Sequence, residues 1–425
     1  MEEKTFYDVH LHAFNLSHPY LRAFIRRFNI QLILPLATVL GWFSFIPFIR
    51  NKLDGAMNLL AVMEDDIDSV FLLLENCLRE DGMLDNNGLH IGGTTYKKVV
   101  LTPLMMDFGY KRMKKDPEIH YNFPCRKPIR RQVIDVFSAV AYYHRFVFRD
   151  RHVKGFPHLE KDKAGKQDKT ERMFEIYPFL GINTLNYEYD EIKELLEKYF
   201  RDYKGNRSDL FANNPRFNGD IDGITSNYAA GIKLYPPLDF DPWPDDQKER
   251  AKVDLLYKYC ADKGIPVTAH GSEGGFNVLS KRRVRKLASI SKWKSVLTAY
   301  PNLKLNIAHF PVNEKRFKIF PKKDRLNEVL ELLANKDFKN LYVDFSCRAT
   351  GPSYYKALKK LIDLSPDNMK EILQKRILFG TDFSVHLMLV PSYNAYYELF
   401  GKDSSLSPEE KDLFCSGNPE RFLFG

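Results

Sequence analysis

Eight short apolar, β-branched or aromatic runs alternate along this chain with longer polar-apolar segments, and few folds accommodate that rhythm. The runs cover 5–14, 97–108, 173–183, 230–236, 265–271, 303–310, 340–347 and 376–383. Most are near-continuously apolar, as strands of a parallel sheet are when both faces are covered. Segments of helical period lie between them, at 130–148, 190–203, 245–263, 291–300, 324–335 and 353–374. Eight strand runs alternating with segments of helical period predict an α/β protein built as one (β/α)8 TIM barrel. A doubly wound open sheet is the competing arrangement, but no Gly-rich phosphate loop follows any of the runs. The chain therefore reads as a single domain, 1–425. Its excess length forms a large helical insert after the first strand, at about 15–95, and a polar excursion at 151–172.

Composition narrows the class. With 44% hydrophobic and 28% charged residues, the chain buries a core like an ordinary globular protein. The cysteines, Cys77, Cys125, Cys260, Cys347 and Cys415, are odd in number and far apart, which fits reduced thiols in a cytoplasmic setting. Met1-Glu2-Glu3-Lys4 runs straight into the first apolar segment, leaving no room for a signal peptide. A net charge of +9 is mild for this length and favours anionic small molecules. The basic cluster Lys281-Arg282-Arg283-Val284-Arg285-Lys286 would sit on the face where barrels place their sites. No base-stacking platform accompanies the basic runs, so nucleic acid is not expected as a partner.

One stretch is out of character. Residues 32–49 carry no charge, and as a helix they would span roughly 27 Å, near the lower limit for a bilayer. Pro35, Gly41 and Pro47 interrupt it, and basic residues flank both ends. A buried or partner-facing insert is the reading adopted. Peripheral membrane contact or self-association through 32–49 is the alternative; the oligomeric state is open.

The chemistry gathers at the carboxyl ends of the expected strands. The first reads Asp8-Val9-His10-Leu11-His12, and residues two apart on a strand face the same way. Two imidazoles so placed suit one cation, although the pair alone is a weak signal. The fourth run carries Lys233, the fifth ends in His270, the sixth in His309 and the eighth in Asp382. Each alone reads as a satisfied core residue. Together, in the layer where barrels build active sites, they point to a metal centre. His18, His90, His120, His144, His152 and His158 lack such company and read as packing or surface residues.

The combination resembles the amidohydrolase superfamily of metal-dependent hydrolases. Four stretches carry the likeness to its amidohydrolase-related branch, which includes aminocarboxymuconate-semialdehyde decarboxylase. They are Gly231-Ile232-Lys233-Leu234-Tyr235-Pro236-Pro237, Leu305-Asn306-Ile307-Ala308-His309-Phe310, Leu378-Phe379-Gly380-Thr381-Asp382 and Gly417-Asn418-Pro419-Glu420-Arg421-Phe422. The resemblance implies that His10, His12, His270 and Asp382 hold a divalent cation, with Zn²⁺ expected and Mn²⁺ as the alternative. It implies that His309 sits over the substrate. Lys233, if carboxylated, would bridge two metals; as an ammonium it would bind a substrate carboxylate, and one ion is favoured over two. Asp382 would shuttle a proton and His309 polarise the scissile carbonyl. Arg348, after the seventh run, is a candidate for binding an anionic substrate.

The activity expected is hydrolysis of an amide, ester, lactone or cyclic C–N bond in a small, anionic molecule. Non-oxidative decarboxylation of an unsaturated or aromatic acid is the competing chemistry. A protein that binds a membrane or partner through its apolar insert is the reading from outside enzymology.

Overall fold

The computed structural model describes residues 3–19, 47–64, 66–109, 129–153, 156–163, 172–277, 279–312 and 325–425. Nine short parallel strands organise it. They are β1 (Thr5–Leu11), β2 (Lys98–Pro103), β3 (Phe174–Ile176), β4 (Phe179–Gly181), β5 (Gly231–Leu234), β6 (Val267–Ala269), β7 (Leu305–Ile307), β8 (Leu341–Asp344) and β9 (Ile377–Leu378). β1, β2 and β3 form one sheet in that order, and β9-β8-β7-β6-β5-β4 form the other. Every pairing within these two sheets is parallel. Strands β5 to β9 are buried along their whole length, which explains why they read as unbroken apolar runs.

The edges of the two sheets meet twice. Leu104, just past β2, forms a parallel bridge with Phe179 of β4, and Leu11 of β1 forms one with Phe383, past β9. Backbone bonds reinforce both seams: Met105 N to Phe179 O at 3.0 Å on one side, Val9 N to Phe379 O at 3.2 Å on the other. The third expected strand, 173–183, is split into β3 and β4 around Tyr177-Pro178. Proline has no N–H to give a ladder, so the segment ends one pairing with β2 and begins another with β5.

Helices return the chain between strands, including Tyr189–Phe200, Gln247–Lys263, Ile290–Ala299 and Arg325–Ala334. The helix expected at 353–374 is two, Pro352–Leu364 and Asp367–Arg376. Pro366 explains the break, since the residue before a proline is pushed out of helical geometry and Ser365 has ψ 147. Within the polar excursion expected at 151–172, residues 151–153 and 156–163 belong to two antiparallel strands, Phe146–Val153 paired with Phe156–Lys163. Aromatic and β-branched residues at 146–148 favour the extended backbone over the helix expected to reach 148.

Of the insert expected at 15–95, residues 20–46 lie outside the described residues, and with them nearly all of the apolar stretch 32–49. What is described is helical only in part. Helices Pro47–Glu64 and Val70–Glu80 precede a small antiparallel sheet of Leu84–Asp85, Gly88–Ile91 and Thr94–Tyr96. Among the described residues no helix is long and apolar enough to cross a membrane. Among the described residues Cys77, Cys260 and Cys415 are free thiols.

Phe379 anchors the aromatic core that carries the end of β9. Its ring lies 5.0 Å from Phe6, 5.6 Å from Phe345, 4.8 Å from Phe400 and 5.5 Å from Tyr397, all of them fully buried. Truncating such a ring removes its burial and leaves a cavity. Phe379→Ala should therefore cost about 3–5 kcal/mol in urea unfolding. A loss below about 1 kcal/mol would show that the cluster packs otherwise.

Candidate metal centre

Strand ends bring the site residues together. His10 lies on β1 where the register with β2 slips, between Asp8 and Leu11. His12 follows that strand, Lys233 lies on β5, and His270, His309 and Asp382 stand just beyond β6, β7 and β9. Three corner residues have left-handed backbones: His309 at φ 66, Cys347 at φ 56 and Asp382 at φ 63. That conformation is costly for non-glycine residues and persists where surrounding contacts impose it. His10, His12, His270, His309 and Asp382 are each at most 5% exposed, and Lys233 is 1% exposed.

Protonation follows from burial. It holds the His12 imidazole below its ordinary value, His270 well below, and His309 at about 3. A neutral imidazole has one N–H and one lone pair, and an oxygen that can only accept fixes which nitrogen carries the proton. His12 Nδ1 donates to Leu104 O at 2.7 Å, and His309 Nδ1 to Ser346 O at 2.9 Å. His270 Nε2 donates to Gly274 O at 2.9 Å, and His10 Nδ1 to the Asp344 carboxylate at 2.9 Å.

The inner nitrogens of His12, His270 and His309 are therefore lone pairs, and they face other lone pairs. His12 Nε2 is 3.2 Å from Asp382 Oδ1, and His270 Nδ1 is 3.0 Å from His309 Nε2. His10 Nε2 lies 3.6 Å from Asp382 Oδ1 and, unlike the others, has a donor beside it, the Lys233 ammonium at 3.3 Å. Acceptors at such distances repel unless positive charge lies among them. A divalent cation would supply that charge, and metal-bound histidines characteristically give their outer N–H to a carbonyl or carboxylate as these four do. The donor set of imidazoles and one carboxylate suits Zn²⁺ or Mn²⁺. The tightest group is His10, His12 and Asp382, whose ligand atoms lie within 4.8 Å of one another.

His270 is turned towards His309 instead, so the two later histidines form a second facing pair beside the first group. Lys233 reaches the cluster, and burial brings its ammonium down to about 8, against the opposing pull of Asp344 and Asp382. Arg348 is half-buried one residue past Cys347, and its charge acts on the Tyr354 hydroxyl. Of the other histidines, His18 is buried with Nε2 2.9 Å from Asp135, a packing role as expected.

Sequence reasoning missed the supporting residues. Asp344, at the end of β8, accepts from His10, Asn306 and Ser346. Its only signal was a carboxylate at a strand end, the same signal that picked out Asp382. Asp8 accepts from Thr381 Oγ1 at 2.7 Å and Thr381 N at 3.0 Å, tying β1 to the segment before Asp382. Burial pushes the Asp8 carboxyl up to about 7. Phe14, Phe108 and Phe276 come from three different loops and meet one another, with Phe14 against His12. Phe14 lies 5.5 Å from the imidazole, 5.5 Å from Phe276 and 6.0 Å from Phe108. Loop residues without a period gave no warning of that wall.

With the geometry in place, likenesses to known proteins can be added. Residues 222–425 match the family model described as amidohydrolase. No curated protein matches the chain. An uncharacterised TIM-barrel protein from Bordetella bronchiseptica is 14% identical, with a TM-score of 0.42 over 99% of this chain and 98% of that one. A probable 2-pyrone-4,6-dicarboxylic acid hydrolase from Acinetobacter baumannii is 13% identical, with a TM-score of 0.43 over 84% and 88%. A 5-carboxyvanillate decarboxylase from Novosphingobium aromaticivorans, complexed with manganese, is 11% identical, with a TM-score of 0.40 over 99% and 96%. Overlaps that loose say nothing of the substrate of this chain.

If the facing lone pairs are a cation's cradle, adding Zn²⁺ or Mn²⁺ to metal-stripped protein stabilises the fold. At a hundredfold excess over Kd the gain is about 2.7 kcal/mol, seen as a higher unfolding temperature. His12→Ala should remove most of the gain. Identical melting of the wild type with and without either ion would sink the metal reading.

Proposed function

We propose that this chain, whose residues 222–425 match the amidohydrolase family model, is an enzyme of that superfamily and a (β/α)8 metal-dependent hydrolase of a small anionic molecule. The two parallel sheets, joined at both seams, are read as one ring of eight strands, with β3 and β4 sharing one place. A single observation carries the functional reading: imidazoles with their protons turned outward, aiming lone pairs at one another and at Asp382. His10, His12, His270 and Asp382 would hold the cation, with one ion per chain and Zn²⁺ the leading candidate.

When bound, a divalent cation supplies Lewis acidity, polarising a substrate oxygen and bringing the pKa of water towards 7. The residues of the chain do the rest. Asp382, buried beside His12, accepts a proton from the attacking water and returns it to the leaving group. His309 presents a lone pair inward, because its proton is held by Ser346 O. It therefore accepts a proton, or shares the cation with His270, before it can stabilise an oxyanion. Polarising a carbonyl directly, the role expected for it, needs an inward N–H that the neutral ring lacks. Lys233, as an ammonium in a dry site, offers charge to a substrate carboxylate; a site holding two ions would instead have it carboxylated. Arg348 remains a second candidate for that anion.

One observation favours decarboxylation as the second reading. The wall of Phe14, Phe108 and Phe276 suits a flat unsaturated acid, and edge-to-face rings provide its natural contacts. A panel of cyclic amides, lactones and unsaturated carboxylic acids, followed for ring opening and for CO₂ release, separates the two chemistries. In either, Asp382→Asn should lower kcat by about 10²–10⁴. Near-normal turnover in that variant would remove Asp382 from the mechanism.

A further inference from the structure

Asp344 does more than fill a gap behind His10. Its carboxylate is wholly buried and takes five hydrogen bonds. His10 Nδ1 at 2.9 Å and Asn306 Nδ2 at 2.7 Å reach Oδ2. Ser346 N at 3.0 Å, His309 N at 3.2 Å and the Ser346 hydroxyl reach Oδ1. The donors come from β1, from β7 and the corner after it, and from the segment after β8 itself.

Resting on the metal reading above, we propose that Asp344 is the positioning residue of the centre. One carboxylate sets the tautomer of His10 and holds the bent backbone that presents His309. The first half follows from hydrogen-bond chemistry. A carboxylate saturated by other donors can only accept, so it keeps the His10 proton on Nδ1 and leaves the Nε2 lone pair facing Asp382 and Lys233. The second half follows from strain. His309 has a left-handed backbone at φ 66, and its N–H, turned away from the ladder, ends on Asp344 Oδ1. Loss of the carboxylate thus loosens a histidine of each facing group at once, though the two lie on strands far apart in sequence.

An isosteric change exposes the role, because an amide cannot satisfy this set of donors. In Asp344→Asn the NH₂ group must replace one oxygen. At Oδ1 it meets the N–H groups of Ser346 and His309, donor against donor. At Oδ2 it meets Asn306 Nδ2 and forces His10 to give up its Nδ1 proton, moving the proton to Nε2 and removing the inward lone pair. Losses of metal affinity on removing such outer partners run to roughly 10–100-fold.

Two measurements test the proposal. In ¹⁵N-histidine NMR of metal-free wild type, His10 should carry its proton on Nδ1; a proton on Nε2 overturns the proposal whether or not any variant folds. Chelator competition with Zn²⁺ should then show Asp344→Asn weaker by about 10–100-fold, with the His10 proton shifted to Nε2. Asn306→Ala, a lesion in the same space that leaves the acceptor, should keep the tautomer and lose less than about threefold. Equal losses in the two variants, or Asp344→Asn binding like wild type, would reduce Asp344 to ordinary packing. Wild type that takes up no Zn²⁺ would sink the metal reading instead, and the His10 tautomer would still decide the role of Asp344.

Discussion

An imidazole shut away from water has one proton to give and one lone pair to place, and the centre of this protein holds four of them around a carboxylate. Desolvation holds His12, His270 and His309 below the ordinary imidazole value, which favours their neutral rings. Every outer N–H is spent on a fixed acceptor, three carbonyls and Asp344. The surrounding backbone then has no freedom left in how it presents the inner nitrogens. Leu104 O must sit at the end of β2, Ser346 O past β8 and Gly274 O in the loop after β6, or a ring turns and its lone pair leaves the cluster. The strand ends are arranged by these acceptors as much as by the ladders between strands.

Strain appears where this arrangement asks most. His309, Cys347 and Asp382 turn the chain through left-handed geometry directly after three neighbouring strands. Each such residue costs on the order of 1–3 kcal/mol. The compensation is local and visible. His309 N ends on Asp344, Cys347 N on Thr381 O at 3.4 Å, and Asp382 N on His10 O at 2.6 Å. Beneath them the rings around Phe379 hold the end of β9 rigid, so the turns cannot relax into ordinary geometry. Core packing below and hydrogen bonding above act on the same few residues.

Much of this was legible because strands and metal ligands follow short-range rules. Unbroken apolar runs announced the buried parallel strands, and period two placed His10 and His12 on one side. The position of His270, His309, Lys233 and Asp382 at run ends supplied the rest of the cluster. What stayed hidden depends on how the two parallel sheets come together. Asp344 meets His10 only because residues 334 apart converge on one interior, and no periodicity encodes that convergence. The tautomers stayed hidden for the same reason, since each is set by an acceptor on a neighbouring element. Pro366 was a readable break that helical period alone passed over. The paired strands after Arg145 were masked by charged residues, which pattern as loop even when they pair.

The aromatic wall sharpens the choice of chemistry more than the ligands do. Ligand geometry serves hydrolysis and decarboxylation alike, because both need a cation that draws charge from a substrate oxygen. They differ in what must share the space. Hydrolysis needs a water beside Asp382 at the moment of attack, whereas decarboxylation needs a proton for carbon and gains from the exclusion of bulk water. Phe14, Phe108 and Phe276 are each at most 4% exposed, and Phe14 lies against His12. A substrate that approached His12 from this side would meet Phe14 and the two rings packed against it. A substrate that fills the gap with a flat apolar face keeps the site dry, and one that leaves the rings apart lets water in beside it. The division between the two chemistries therefore runs through the shape of the substrate at this wall.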